Sequence, residues 1–212
     1  MNYSDIQKSK FYKDTYTKIE ELKKDFYVDH GFLHISHVLK NAKSIASQFN
    51  LTKKEKQLLY IASVLHDVGY LDGRDDHALN GSIIARNFLE QNKVKLADID
   101  IICNAIANHG GKRSEDFLEP VSKCLCIADK LDFVKSRYDK SLAPREIKNL
   151  FLCVQDTKFL IEDNKYIIEI YADENFDESA FLDDYFGKKL VAFLKLLSET
   201  FYKDYDLRII KK

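Results

Sequence analysis

Glycine and proline are scarce, with seven and two among 212 residues. A β-sandwich or barrel needs more turns than these residues supply, so the chain reads as a set of long helices. The four cysteines, Cys103, Cys124, Cys126 and Cys153, form no CxxC pair and lie in apolar stretches, which points to reduced, buried side chains rather than a disulfide framework or thiolate metal site. Apolar runs such as Leu58–Leu65 fall far short of the ~18 residues of a membrane span, so no membrane partner is expected. The opening MNYSDIQKSKFYKD is charged from its start and has no apolar signal core, and the expected location is the cytoplasm. Neither sign of charge dominates. Lys and Arg total 33 against 34 Asp and Glu, a net charge of -1, so no global basic field would draw in a nucleic-acid polymer. Repeats and low-complexity segments are lacking too. What is present is 45% hydrophobic and 32% charged, a globular composition. A chain of this length buries roughly 70% of its unfolded surface.

Apolar spacing divides the chain. Ile6, Ile19, Leu22 and Phe26 recur at helical spacing over residues 4–27, and the chain breaks at Gly31. Residues 33–48 form a second helix with Leu33, His34, His37, Val38, Ala42 and Ile45 on one broad face. Thr52 with Glu55 is a capping box for a helix through LLYIASVLHDV that stops at Gly69. Its C-terminal half is apolar almost all round, which makes it the central helix. Helices follow over 77–91, 97–109 and 120–137, and Pro144 opens a short one. FLIEDNKYIIEIY is β-branched and aromatic around Asp163-Asn164, the pattern of a β-hairpin over about 157–171. An acidic loop leads to a last helix over about 185–203 that packs back on the bundle. The expected fold is all-α, a helical bundle with a small β-hairpin near the C-terminus, in one domain over 1–212 whose core spans about 28–140.

All six histidines, His30, His34, His37, His66, His77 and His109, fall between positions 30 and 109. His66 and Asp67 sit at the end of the most buried helix. Neighbours on a helix diverge by about 100 degrees, yet both can reach an ion placed over the helix end, and the carboxylate can bridge to a second. A buried Asp there needs a partner, which a cation supplies. Alone, the pair reads equally as a capping or ion-pair dyad. His34 lies mid-helix, His77 starts one helix, His109 ends another, and Asp129 interrupts an apolar run as ADKLD. Imidazoles and carboxylates from separate helices build metal sites inside bundles. Nitrogen and oxygen donors favour Fe or Mn, with Zn or Ni also suited.

The order H…HD…H…H…D, carried by DHGFLHISHVLKNAKSIA, LLYIASVLHDVGY, HALNGSIIARNFL, IICNAIANHG and CLCIADKLD, resembles the HD-domain superfamily of metal-dependent phosphohydrolases. The resemblance implies an HD-type helical bundle. It implies that His34, His66, Asp67 and Asp129 hold one divalent ion, while His77 and His109 match the ligands that two-metal branches add for a second, so one or two ions are expected, with Asp67 bridging where there are two. The loop between the HD pair and His77 is similar to that of the branch that cleaves dinucleoside tetraphosphates. Two positions depart from the family pattern: Tyr70 stands where many members carry Lys, and His37 where many carry Arg.

The implied activity is hydrolysis of a phosphoester or phosphoanhydride of a nucleotide or other small phosphate, by water that a divalent ion (Fe or Mn, or else Mg, Co, Ni or Zn) activates. Asp67, Asp129 and His66 are the candidate catalytic residues, with Asp129 or a nearby acid taking the water proton. Candidate phosphate contacts are Lys130, Arg137, Arg113 and Arg74, with Lys112 beside them. Tyr70 and His37 stand near the substrate, His37 also as a partner to a metal-bound carboxylate. His30 could likewise donate to a metal-bound carboxylate or to substrate, but is expected rather to order the loop before its helix. Two alternatives stand beside this reading: a di-iron oxygenase of the same superfamily, and a non-catalytic module that a metal staples together. The hairpin and acidic loop lie outside the resemblance and could form a lid or a homodimer contact.

Overall fold

The computed structural model describes residues 1–22, 28–138 and 152–212. The Phe26 end of the first helix and the helix opened by Pro144 lie outside these residues. The described elements are α1 (Tyr3–Lys8), α2 (Lys10–Leu22), α3 (Phe32–Gln48), α4 (Lys53–Leu65), α5 (His77–Gln91), α6 (Leu96–Asn108), α7 (Pro120–Lys130), β1 (Val154–Glu162), β2 (Lys165–Ala172), α8 (Glu178–Asp183), α9 (Tyr185–Phe201) and β3 (Asp204–Lys211). The fold class is as the sequence implies, a helical bundle with a small sheet toward the C-terminus. None of the described helices is long and apolar enough to cross a membrane.

Helix α4 is the hub. Thr52 caps it: the Glu55 amide donates to Thr52 Oγ1 at 3.2 Å and the Thr52 amide to Glu55 Oε2 at 2.8 Å. Leu58, Leu59, Ile61, Ala62, Val64 and Leu65 are all buried. Each such leucine or isoleucine contributes roughly 1.5–3 kcal/mol relative to an exposed position. Helices α1, α3, α6 and α7 pack around it.

Several boundaries differ from the sequence reading. The first helix is broken at Ser9, whose hydroxyl accepts from the Tyr12 amide at 3.2 Å and so caps a new helix. α4 ends at Leu65 rather than Gly69, and Val68–Asp72 form a 3-10 turn. α7 stops at Lys130 rather than 137, with a 3-10 turn at Lys135–Arg137. The last two departures adjoin His66, Asp67 and Asp129, the residues of interest.

The hairpin turns at Asp163-Asn164, both at positive φ (45° and 65°), the conformation that two-residue hairpins select. β2 pairs antiparallel with β1 and parallel with β3, the strand the sequence reading missed. The acidic loop also holds α8, capped by Asp177 Oδ1 accepting from the Ala180 amide at 3.0 Å. The sheet lies on the bundle through Phe49, whose ring stacks on Phe159 at 5.7 Å, and through Thr157, whose hydroxyl donates to the Leu131 carbonyl at 2.6 Å. Tyr166 meets Phe201 of α9 at 6.4 Å.

Candidate metal centre

Four helices deliver four imidazoles to one buried point. His34 comes from mid-α3, His66 from the C-cap of α4, His77 from the first residue of α5, and His109 from the C-cap of α6. Asp67 follows His66 directly, and Asp129 lies in the last turn of α7. The 3-10 turn after Asp67 crosses α5 so closely that a Cβ on Gly69 would lie 2.0 Å from the His77 carbonyl oxygen and 2.4 Å from the Gly81 amide nitrogen. Only glycine permits that approach, and the approach brings His77 to His109.

The rings share one orientation. Nδ1 of His66, His77 and His109 lies 2.9, 2.8 and 2.7 Å from the carbonyl oxygen three residues earlier, on Ser63, Arg74 and Ile106. A carbonyl only accepts, so each Nδ1 carries the hydrogen and each Nε2 presents a lone pair. His34 Nδ1 lies 2.6 Å from Asp132 Oδ2, so this ring donates to a carboxylate instead.

The Nε2 atoms converge in two pairs, His34 with His66 and His77 with His109, each at 3.2 Å. Asp67 stands between them. Its Oδ2 is 3.2 Å from His34 Nε2 and 3.4 Å from His66 Nε2. Its Oδ1 is 3.6 Å from His109 Nε2 and 3.9 Å from His77 Nε2. Asp129 Oδ1 joins the first pair only, 3.4 Å from His34 Nε2 and 3.9 Å from His66 Nε2. Imidazole Nε2 atoms meeting at such distances, hemmed in by two carboxylates, are the donor set of a cation site. The residues therefore fit divalent ions: His34, His66, Asp67 and Asp129 could hold one, and Asp67, His77 and His109 another.

The electrostatics agree. Burial opposes the charge of Asp67, but His66, His30 and His34 outweigh it and hold this carboxyl well below the usual range. Asp129 is likewise held low against its burial, by Lys130 and His34. Burial and Arg137 work against a proton on His34, but Asp129, Asp132 and Asp67 together push it up to about 10. The metal-free site thus keeps a proton on His34 where a dication would sit. His109 is pushed down to about 3, first by burial and then by His66.

The remaining candidates divide into near and far. Lys130 Nζ is 3.1 Å from Asp129 Oδ2. Arg137 is an internal clamp: Nε donates to the Asp29 carbonyl at 3.1 Å, Nη1 to the Asp132 carbonyl at 2.5 Å, and Nη2 lies 3.5 Å from His34 Nε2. Tyr70 is sandwiched between the rings of His30 at 3.9 Å and His77 at 4.4 Å. Arg74 lies close enough to Tyr70 to act on its hydroxyl electrostatically. Arg113 is turned to Asp116, with Nη2 3.1 Å from Oδ1. His37 Nδ1 bonds Asp132 Oδ1 at 2.9 Å.

Two residues were underrated from sequence. His30, expected rather to order its loop than to donate to a metal-bound carboxylate, has Nδ1 2.9 Å from Asp67 Oδ2. Asp132 was not singled out, yet it is almost fully buried and gathers His34, His37 and Arg137. The ADKLD pattern held the signal, since a second acid three residues after Asp129 lies within one helical turn of it.

The HD-domain family profile matches residues 31–134, just under half of the chain and the part that carries all six converging side chains. No curated protein matches significantly. The chain is similar to a solved structure of a predicted HD superfamily hydrolase from an uncultured Thermotogales bacterium, with 23% identity and a TM-score of 0.44 over 66% of this chain and 86% of that one. Residues 31–134 of the chain are thus similar to HD domains.

Proposed function

We propose that this protein is a metal-dependent phosphohydrolase that cleaves a phosphoester or phosphoanhydride of a nucleotide or another small phosphate. One observation carries the reading: the two oxygens of Asp67 are divided between two imidazole pairs, Oδ2 toward His34 and His66, Oδ1 toward His77 and His109. That is the arrangement of a carboxylate shared by two cations. His34, His66, Asp67 and Asp129 would hold one ion and His77 and His109, with Asp67, the other; Fe or Mn suits these donors best. Divalent ions held there supply Lewis acidity and lower the pKa of a bound water from about 15.7 toward 7.

The protein's own groups do the rest. Asp132 and the three backbone carbonyls fix the imidazole tautomers, so no reorientation precedes binding. Asp129 stays ionised, and at 15% side-chain exposure it reaches the solvent side, where it takes the proton of the attacking water. Lys130 holds Asp129 and offers its remaining N–H groups to a phosphate oxygen. The Tyr70 hydroxyl and Arg74 border the His77 side and contact the same phosphate. Arg137, fixed by backbone carbonyls, adds positive charge beneath it and does not swing out.

The test is a screen of phosphomonoesters and nucleotides with protein loaded with Mn, Fe, Co or Mg, beside Asp67→Ala. Turnover that disappears together with metal retention in the variant supports the assignment. Full activity in Asp67→Ala refutes it. Oxygen-consuming turnover by an iron-loaded protein inert toward every phosphate would move the assignment to the oxygenase branch.

A further inference from the structure

Strand β3 is an outer strand of the sheet: the order is β1-β2-β3, and among the described residues no strand pairs with its far side. Such an edge presents a row of unpaired N–H and C=O groups, a template for another strand. Bulges and prolines blunt many natural edges. β3 has neither, and it pairs with β2 in unbroken register from Asp204 to Lys211. The Lys212 amide donates to the Ala172 carbonyl at 3.0 Å. Backbone groups alternate sides along a strand, so Asp206, Arg208 and Ile210 turn theirs toward β2, and Tyr205, Leu207 and Ile209 turn theirs outward.

The side chains of those last three residues share one face. They register with Tyr166, Ile168 and Ile170 of β2, all buried. The apolar row continues onto β3 without full cover. Leu207 and Ile209 touch the core cluster yet stay half-buried, and Tyr205 is 40% exposed. The opposite face carries charge: Arg208 Nε donates to Asp206 Oδ2 at 3.0 Å, and Nη1 to Glu162 Oε2 at 3.0 Å.

This order of side chains is self-complementary. A two-fold axis normal to the sheet joins two β3 strands antiparallel, and it must pass through a residue, because directly facing side chains point to the same side. An axis through Leu207 sets Asp206 across from Arg208 of the second copy and Arg208 across from its Asp206. It also sets Tyr205 across from Ile209, and Leu207 across from its own mate. Opposite charges and aromatic–β-branched pairs are the favourable cross-strand combinations. An axis through Asp206 or Arg208 would instead bring like charges face to face, which is destabilising. Leu207 turns its N–H and C=O outward, so the central pair can exchange both hydrogen bonds.

We propose that β3 is a homodimer edge: two copies of this chain pair antiparallel through β3 about Leu207 and join their sheets into one. The proposal stands apart from what the metal centre does.

Sedimentation velocity of the full chain over a concentration series tests it, beside oxidation of cysteine variants. The wild type is expected to dimerise with a Kd on the order of 10 µM, as small interfaces do. Leu207→Pro removes an N–H that β2 does not use, and it should weaken the dimer at least ~10-fold, the contribution of the two hydrogen bonds lost. Leu207→Cys keeps the backbone. Mild oxidation should convert it to a covalent dimer, since facing Cα atoms lie about 5.5 Å apart, within disulfide reach. Asp204→Cys, farther from the axis and on the order of 20 Å from its mate, should not cross-link. The four native cysteines are buried, and the wild type serves as the blank. Should Leu207→Pro fail to fold, the two cysteine variants decide. A wild type that stays monomeric at about 50 times the expected Kd overturns the self-pairing and leaves the edge to a strand of another protein. A dimer that a folded Leu207→Pro leaves unchanged, or that cross-links no better through Leu207→Cys than through Asp204→Cys, uses another interface and overturns it as well.

Discussion

A ring nitrogen that has already given its hydrogen to a carbonyl has one thing left to offer, and at His66, His77 and His109 that is a lone pair aimed at a common point. His34 differs in leaning on a carboxylate, and two consequences follow. Asp132→Asn replaces that charged acceptor by a neutral one, and the affinity for Mn2+ should fall about 10–100-fold, as for other losses of a ligand's supporting partner. Titration of the metal-free protein with Mn2+ checks this, and an unchanged Kd would remove Asp132 from the account. The second consequence concerns pH. In the metal-free site His34 titrates at about 10, raised from 6.5, so at neutral pH it is protonated and a metal must expel that proton. Apparent affinity should therefore rise with pH, by up to about tenfold per unit below that value, and each binding event should release a proton. Calorimetry in two buffers of different ionisation heat counts the protons. Zero release, or affinity that falls as pH rises, contradicts the assignment.

Local chemistry sets the elements where it is unambiguous. Thr52 with Glu55 fixes the start of α4, Pro120 that of α7, and the alternation on either side of Asp163-Asn164 fixes the hairpin. At the crossing of the 3-10 turn and α5, distant backbones meet instead, and there Gly69→Ala should be severe. Its Cβ would strike the His77 carbonyl, costing on the order of 1–3 kcal/mol or more. It should also separate His77 from Asp67 while sparing His34, His66 and Asp129. Urea unfolding with metal counting should show lower stability and one ion retained where the wild type holds two. Full stability with both ions kept would contradict that role for the glycine. The breaks the sequence reading overran share one cause. Ser9, His66 and Lys130 sit in patterns that remain helical on apolar spacing, and the helix yields to a hydroxyl cap or to side chains recruited inward. β3 escaped notice because DYDLRIIK follows a helix without turn signals and is defined by its pairing with β2, a partner far away in sequence.

At the scale of the molecule, the bundle supplies convergence and the C-terminal additions supply surroundings. Chain order exposed the histidines and two of the aspartates, because helix ends can be read from capping and apolar runs, and imidazoles at helix ends stand out. It could not expose Asp132, whose importance lies in three-dimensional neighbours, and it left His30 between ordering a loop and supporting a metal-bound carboxylate. One hydrophobic cluster runs from Ile6 through α4 to Phe159, Ile168 and Leu197, so the sheet and α9 share the core that fixes the metal-facing side chains. The central claim is that this scaffold holds a pair of divalent ions across Asp67. Elemental analysis of protein purified under anaerobic conditions measures it most directly. The account requires two transition-metal ions per chain in the wild type; a chain that emerges folded and retains no transition metal, even after incubation with Mn or Fe, contradicts it.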